Sequence, residues 1–379
     1  MARRLPLAVR MPCFPSCSSS HDARGLCAAA LVVGCTLSSA RIAFAQEAAT
    51  PTDSAPAPAT TESSTSTSTA PPPGEPASGT PPAPTSEPET AQPAEAPPPA
   101  APYSLPWQLR PAAATTTVRL DTAFAFYEDP VSHHSGFTTV PMASFSYKVV
   151  TGFAPMVRIG LVQNSPPDAT APAANPPSGF GFLNPVVGGT YALELSKELR
   201  LAFFLGLTIP VGLGGGDNPD KGNKLARTVG IPARSAMDNA MFAVNDFTVF
   251  PGVDFAFVSG GFTAQAEATL FQLTRVRGSA DQKDSSRTNL TMGLHVGYFV
   301  IPAISLGAEI RHQRWVSTPS TVTTPSLRDT TTVAVGPRFH FQGSKGKWFR
   351  PGIAFAFPLD DPMKKSSYKI VQLDLPFSF

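Results

Sequence analysis

Alternation of bulky apolar residues with small, polar or charged ones, repeated from about residue 115 to Phe379, constrains this chain more than any other feature. A period of two sends successive side chains to opposite faces of an extended strand, so each segment carries one apolar face. Leu199, Leu201, Phe203, Leu205, Leu207 and Ile209 alternate with Arg200, Ala202, Phe204, Gly206 and Thr208. The same pattern places Phe247, Val249, Val253, Phe255 and Phe257 opposite Thr248, Phe250, Gly252, Asp254 and Ala256. About twelve such segments can be read, near 115–127, 137–150, 153–163, 183–196, 199–211, 245–259, 261–275, 287–300, 302–316, 328–342, 347–358 and 366–379. Many reach ten residues, which suits strands tilted across a bilayer better than the five or six usual in soluble sheets.

The connections sort into two kinds. Thr151-Gly152, Ser196 to Glu198, Gly260-Gly261, Ile301-Pro302 and Gly343 to Gly346 are tight, whereas 164–182 and 212–244 are long and polar. Short turns at one end and long loops at the other are the arrangement of a membrane barrel, with both chain ends on the short-turn, periplasmic side. A membrane helix is the competitor, because Thr288 to Ala308 lacks charged residues. Pro302 inside that run, and its alternation of Gly293, His295 and Gly297 with Leu294, Val296 and Tyr298, favour a hairpin instead. The expected fold is all-β: a closed antiparallel transmembrane barrel of about twelve strands, range ten to fourteen, over residues 107–379.

What precedes the barrel reads as an address and a spacer. Arg3, Arg4, Arg10 and Arg24 lead into an apolar run from Leu26 to Leu37, followed by Ala43-Phe44-Ala45. That is the order of a secretory signal peptide, residues 1–45, cleaved before Gln46. Val32-Val33-Gly34-Cys35 offers a rival processing site, with Cys35 lipidated, and the two remain open. Residues 46–106 hold 17 of the chain's 42 prolines and no Lys or Arg. Such a segment buries too little apolar surface to offset its ordering entropy, so a disordered periplasmic linker is expected, with peptidoglycan as a candidate partner.

Val371, Leu373, Leu375, Phe377 and Phe379 alternate up to a terminal aromatic. Here the chain resembles Gram-negative outer-membrane β-barrel proteins, whose last strand carries such an assembly signal. The resemblance implies outer-membrane lipid and the barrel-assembly machinery as partners. A looser resemblance lies in Gly179 to Asp217, GFGFLNPVVGGTYALELSKELRLAFFLGLTIPVGLGGGD. It is similar to the paired-strand unit of phenol-degradation MetA-like and FadL-like barrel transporters, which implies uptake of small, often aromatic or hydrophobic molecules.

Inside a closed barrel, the face opposite the apolar one lines the lumen. A charge at the lipid midplane costs ~2 to 4 kcal/mol for Arg or Lys, so parity sends Arg119, Asp121, Lys148, Arg158, Glu194, Arg200, Asp254, Glu267, Glu309, Arg311, Arg338, Arg350 and Asp374 inward. Those seven cations and six anions nearly cancel. Glycine and alanine fill much of the remaining inner face, which in a twelve-strand barrel leaves a cavity or narrow channel. Tyr147, Tyr298, Trp315, Trp348 and Tyr368 fall near segment ends, where interfacial girdles belong.

Cys13, Cys17, Cys27 and Cys35 all precede residue 46, so the barrel contains no thiol chemistry. There is no G-x-S-x-G, P-loop or H-E-x-x-H, and the net charge of +2 gives no reason to expect nucleic acid. No enzyme activity, cofactor or metal is expected. His133-His134 and Asp217 to Gly222 read as surface loops rather than metal sites. The sequence points to a channel for passive diffusion of a small solute. The alternative is a plugged structural barrel that anchors the envelope through its linker.

Overall fold

In a computed structural model of the protein, residues 102–379 are described apart from 169–175, 279–283, 318, 321 and 323. Twelve antiparallel strands close on themselves. They are β1 (Thr117–Glu128), β2 (Ser135–Ser146), β3 (Phe153–Ser165), β5 (Val186–Glu194), β6 (Leu199–Thr208), β7 (Asp246–Ser259), β8 (Phe262–Arg275), β9 (Ser286–Ile301), β10 (Ile304–Trp315), β11 (Asp329–Phe339), β14 (Gly352–Pro358) and β15 (Lys369–Ser378). Short β4 (Gly179–Phe182) extends the edge of β3, and β12 (Phe341–Gln342) and β13 (Trp348–Phe349) prolong β11 and β14 beyond breaks at His340 and at Arg350-Pro351. Each wall strand pairs with its chain neighbour, and β1 pairs with β15 from Thr117↔Ser378 to Phe126↔Lys369. Among the described residues the twelve wall strands therefore leave no free edge, which is what a sheet surrounded by lipid requires.

All twelve segments read from the alternation become wall strands, and the Thr288 to Ala308 run is the hairpin of β9 and β10. Side-chain parity holds. In β6, Phe203 and Leu205 are 48% and 53% exposed, while Ala202 and Phe204 are 0% and 4% exposed. Val253, Phe255, Leu294, Ile310, Val335 and Phe355 continue the exposed apolar belt around the wall. A closed surface of this kind, hydrophobic outside with its polar groups inside, is a transmembrane barrel.

The tight turns lie at one end, with the start of β1 and the end of β15. Between β7 and β8, Gly260 and Gly261 both take positive φ, as a two-residue type I′ hairpin demands. At the opposite end the connections are longer. The one from β6 to β7 is folded rather than extended: α1 (Lys221–Ala233) and α2 (Asn239–Phe242) lie within it. Asp220 starts α1, its carboxylate accepting from the Asn223 N–H at 2.9 Å, which is ordinary N-capping.

The girdle expectation holds only in part. Tyr147 and Tyr298 are exposed at the turn end, but Tyr368 is buried against Tyr127 with rings stacked 5.0 Å apart, and Trp348 lines the turn-end mouth. The expected signal peptide over 1–45, the rival lipidation at Cys35 and the expected linker up to residue 101 lie outside the described residues. Tyr103, Ser104, Leu105 and Pro106, assigned to the linker by composition, are buried inside the barrel.

Candidate functional site: a lumen filled from both ends

Two segments that are not part of the wall occupy the lumen. From the turn end, residues 103–112 enter as a strap that folds back on itself, the Ala112 N–H donating to the Tyr103 hydroxyl at 3.1 Å. The wall holds the strap largely by its backbone. Arg338 donates to the Leu105 carbonyl at 2.9 Å and the Pro106 carbonyl at 3.1 Å, and Arg119 reaches the Pro106 and Trp107 carbonyls. Glu309 accepts from the Trp107 and Gln108 N–H groups, and Glu267 from the Arg110 N–H at 2.7 Å. Buried peptide groups that leave water need such partners.

Glycines in the wall make room for the strap. A Cβ at Gly293 would run into the Leu109 side chain, and one at Gly297 would stand 2.5 Å from the Ser104 Cβ. The small inner-face residues therefore form a slot whose occupant is this chain's own segment. Trp107, 2% exposed, is the largest side chain in that slot and meets His295 edge-on at 5.8 Å.

From the loop end, the connection carrying α1 and α2 descends to meet the strap. Arg234, at the end of α1, pairs with Asp121 of β1 and, at 2.8 Å, with Asp238; Arg158 of β3 joins Asp238 at 2.6 Å and Asp121 at 3.2 Å. Burial drives the Asp238 carboxyl up, but Arg158 and Arg234 outweigh it and hold it well below the usual carboxylate range. Burial likewise opposes the charge on Arg234, and its two carboxylate partners more than restore it. Beside this ion cluster, Ala240, Met241 and Phe242 pack in one apolar cluster with wall residues including Val162, Phe250, Phe271 and Leu273, and Met237 and Val244 are buried as well. The two segments touch through Gln108, whose amide donates to the Arg234 carbonyl at 2.6 Å and to Asp238 at 3.2 Å.

Space remains at both mouths. A cavity of about 890 Å³ opens at the turn end between the strap and the wall, and one of about 410 Å³ lies under the long loops. Between them, smaller cavities of about 100 and 60 Å³ run alongside Gln108 and Arg110 toward Met237 and Met241.

Of the residues that parity sent inward, eleven face this interior. Arg119 and Arg338 share Asp374, Arg311 pairs with Glu309 at 2.7 Å, and Arg110 of the strap sits 3.1 Å from Glu267 and 3.6 Å from Asp254. Asp121 and Arg158 join the Arg234 cluster, while Arg200 and Arg350 line the turn-end cavity. Lys148 and Glu194 do not line the lumen. Lys148 lies beyond the end of β2 and Glu194 is the last residue of β5; both are exposed at the rim, where alternation no longer means inside or outside. Val371, Leu373, Leu375 and Phe377 of β15, with Phe379 after it, occupy the outward face, while Ile370, Gln372 and Asp374 point in.

Composition gave no indication that Arg110, Arg234 and Asp238 would complete the lumen's ion pairs. A signal for the strap exists, since Tyr103, Leu105, Trp107 and Leu109 alternate at the end of a polar tract. Met237, Met241, Phe242 and Val244 are likewise too apolar for a solvated loop.

Taken together, fold and site define a closed twelve-strand antiparallel transmembrane β-barrel with an internally occupied lumen. No protein-family model matches the chain, and no curated protein does. Among solved structures it is similar to an outer-membrane channel from Pseudomonas putida F1, at 13% identity over 72% of this chain and 98% of that one, with a TM-score of 0.46. The KdgM porin aligns at 9% identity over 69% and 99% of the two chains, with a TM-score of 0.38. A FadL homologue of Pseudomonas aeruginosa aligns at 10% over 70% and 90%, with a TM-score of 0.34. At TM-scores this low, the assignment rests on the chain's own geometry.

Proposed function

We propose that this chain is an outer-membrane barrel channel for passive diffusion of a small solute, closed at rest by its own strap and loop and opened when they shift. One observation carries the reading: glycines of the wall such as Gly293, Gly297 and Gly307 leave room on its inner face, and what fills that space belongs to a segment outside the wall. A barrel built only as an anchor fills its lumen with wall side chains, as small barrels do. Here the filling is held by hydrogen bonds and ion pairs at ends that the chain itself can withdraw. On this reading both termini are periplasmic, residues 46–101 form the tether that leads to the strap, and the alternating last strand ending at Phe379 directs assembly.

The anchoring alternative keeps one observation in its favour, the density of bonds that hold residues 103–112. Liposome flux separates the two. Purified full-length protein should pass small solutes slowly, and a variant lacking residues 102–112 should pass them faster. No flux from either would overturn the channel reading. Pull-down on isolated peptidoglycan, with and without residues 46–101, tests the anchor; a channel is indifferent to that deletion.

A further inference from the structure

We infer that the turn-end cavity is a binding site for an amphipathic monoanion, an apolar body bearing one carboxylate-type head, which specifies the solute class of the proposed channel and rests on that reading. The cavity, about 890 Å³, falls within the usual size of small-ligand sites, roughly 300–1,000 Å³. Most of its lining is apolar. Arg119, Arg200 and Arg350 also line it, together with His340, and among the described residues no carboxylate side chain does.

The charge balance at this mouth is uneven. Arg119 and Arg338 share the single carboxylate of Asp374, whereas among the described residues no carboxylate stands within ion-pair distance of Arg200 or Arg350. Glu194, the register partner of Arg200, stands exposed at the rim without pairing to it. Instead Arg200 lies over the Tyr103 ring at 5.1 Å and Arg350 over the Trp348 ring at 4.8 Å, positions that hold each guanidinium against an apolar wall. The Nε of Arg350 is buried without a hydrogen-bond acceptor. A buried donor on an unbalanced cation favours an anion that supplies both charge and acceptor. Asp254 and Glu267, which share Arg110, do not line the cavity.

The opposite mouth carries the same sign. Among the described residues, Lys224, Arg227, Arg275 and Arg287 line the loop-end cavity with Asp217 and Asp246. Among the described residues Arg227 has no carboxylate partner, and burial, reinforced by Arg287 and Arg275, pushes it down to about 10. Counted over the described residues, the interior is balanced at its centre and cationic at both ends, so a permeating anion meets attraction wherever it enters.

Calorimetric titration of the full mature chain in detergent tests this with benzoate, its neutral analogue benzyl alcohol, and acetate, which lacks the apolar body. Benzoate should bind at least roughly tenfold more tightly than either, and its affinity should fall with added salt. Arg200→Gln with Arg350→Gln should remove roughly tenfold or more of the benzoate affinity, whereas Arg350→Lys should retain part of it and Lys148→Gln at the outer rim all of it. Equal binding of benzoate and benzyl alcohol, or benzoate affinity indifferent to both salt and the double substitution, overturns the inference. Charge-dependent binding without liposome flux would uphold the site and refute the channel; flux without charge-dependent binding would do the reverse.

Discussion

Phe203→Arg puts a charge where the account says acyl chains lie. Phe203 is the fifth of the ten residues of β6, so it sits near mid-height, and its 48% exposure lies on the outward face between Tyr191 and Val253. An arginine at the midplane of a barrel wall costs ~2 to 4 kcal/mol, against ~0 to 1 near the interface. At 1.4 kcal/mol per factor of ten, that is roughly 30- to 700-fold in the folding equilibrium. Leu199→Arg, at the rim end of the same strand and face, should therefore shift it by less than about sixfold. Ala202→Arg enters the packed cluster of Tyr103, Leu105 and Ala112, so it should dislodge the strap while leaving insertion intact. Urea titration in lipid vesicles, followed by the heat-modifiable folded band, measures all three. Equal cost at positions 199 and 203, or normal insertion of Phe203→Arg, would refute the lipid-facing assignment.

Deleting Phe379 should leave an exposed fraction that fails to assemble, seen as loss of the folded band in outer-membrane fractions; full assembly would contradict the signal read from the last strand. Trp107→Ala removes the largest side chain in the slot, and such truncations cost ~3 to 5 kcal/mol, so amide exchange at Gln108 should quicken about a hundredfold or more, measured by mass spectrometry. Asp238 titrates well below the usual carboxylate range, so its contribution to docking the loop is present above the unfolded value near ~3.9 and is lost only as pH falls through the lower folded value. Protection of the 234–242 amides against exchange, corrected for the intrinsic rate, should accordingly stay flat from about pH 8 to about pH 5, and its loss within that window would show that the Arg158–Asp238–Arg234 cluster does not hold the loop.

The wall was legible because its two environments, lipid and lumen, impose one rule on every strand. Leu201, Phe203 and Leu205 must be apolar where Arg200, Ala202 and Phe204 need not be, and twelve repetitions of that rule leave little doubt about parity. It fails at Lys148 and Glu194 because the environments end with the strands. The filling of the lumen follows no such rule. Residues 103–112 gain their conformation from partners 157 to 233 positions away, such as Glu267, Glu309 and Arg338, and a strap bonded through its backbone leaves almost no pattern in its side chains. The same holds for Arg234 and Asp238, which look like solvated loop charges until Asp121 and Arg158 are brought against them. The near-cancellation of inner-face charges was visible in the sequence. That Arg200 and Arg350 remain over at the turn-end mouth emerges only once every pair has been assigned.

The sequence holds no cysteine after residue 35, so a protein beginning at Gln46 makes one experiment clean. Ser104→Cys with Gly297→Cys places two thiols in the contact where a Cβ at 297 stands 2.5 Å from the Ser104 Cβ, so a small shift brings them to disulfide geometry. If passage requires the strap to move, oxidation should abolish solute flux in liposomes and reduction should restore it. Undiminished flux through the oxidised, fully cross-linked protein would show that the strap does not gate this barrel.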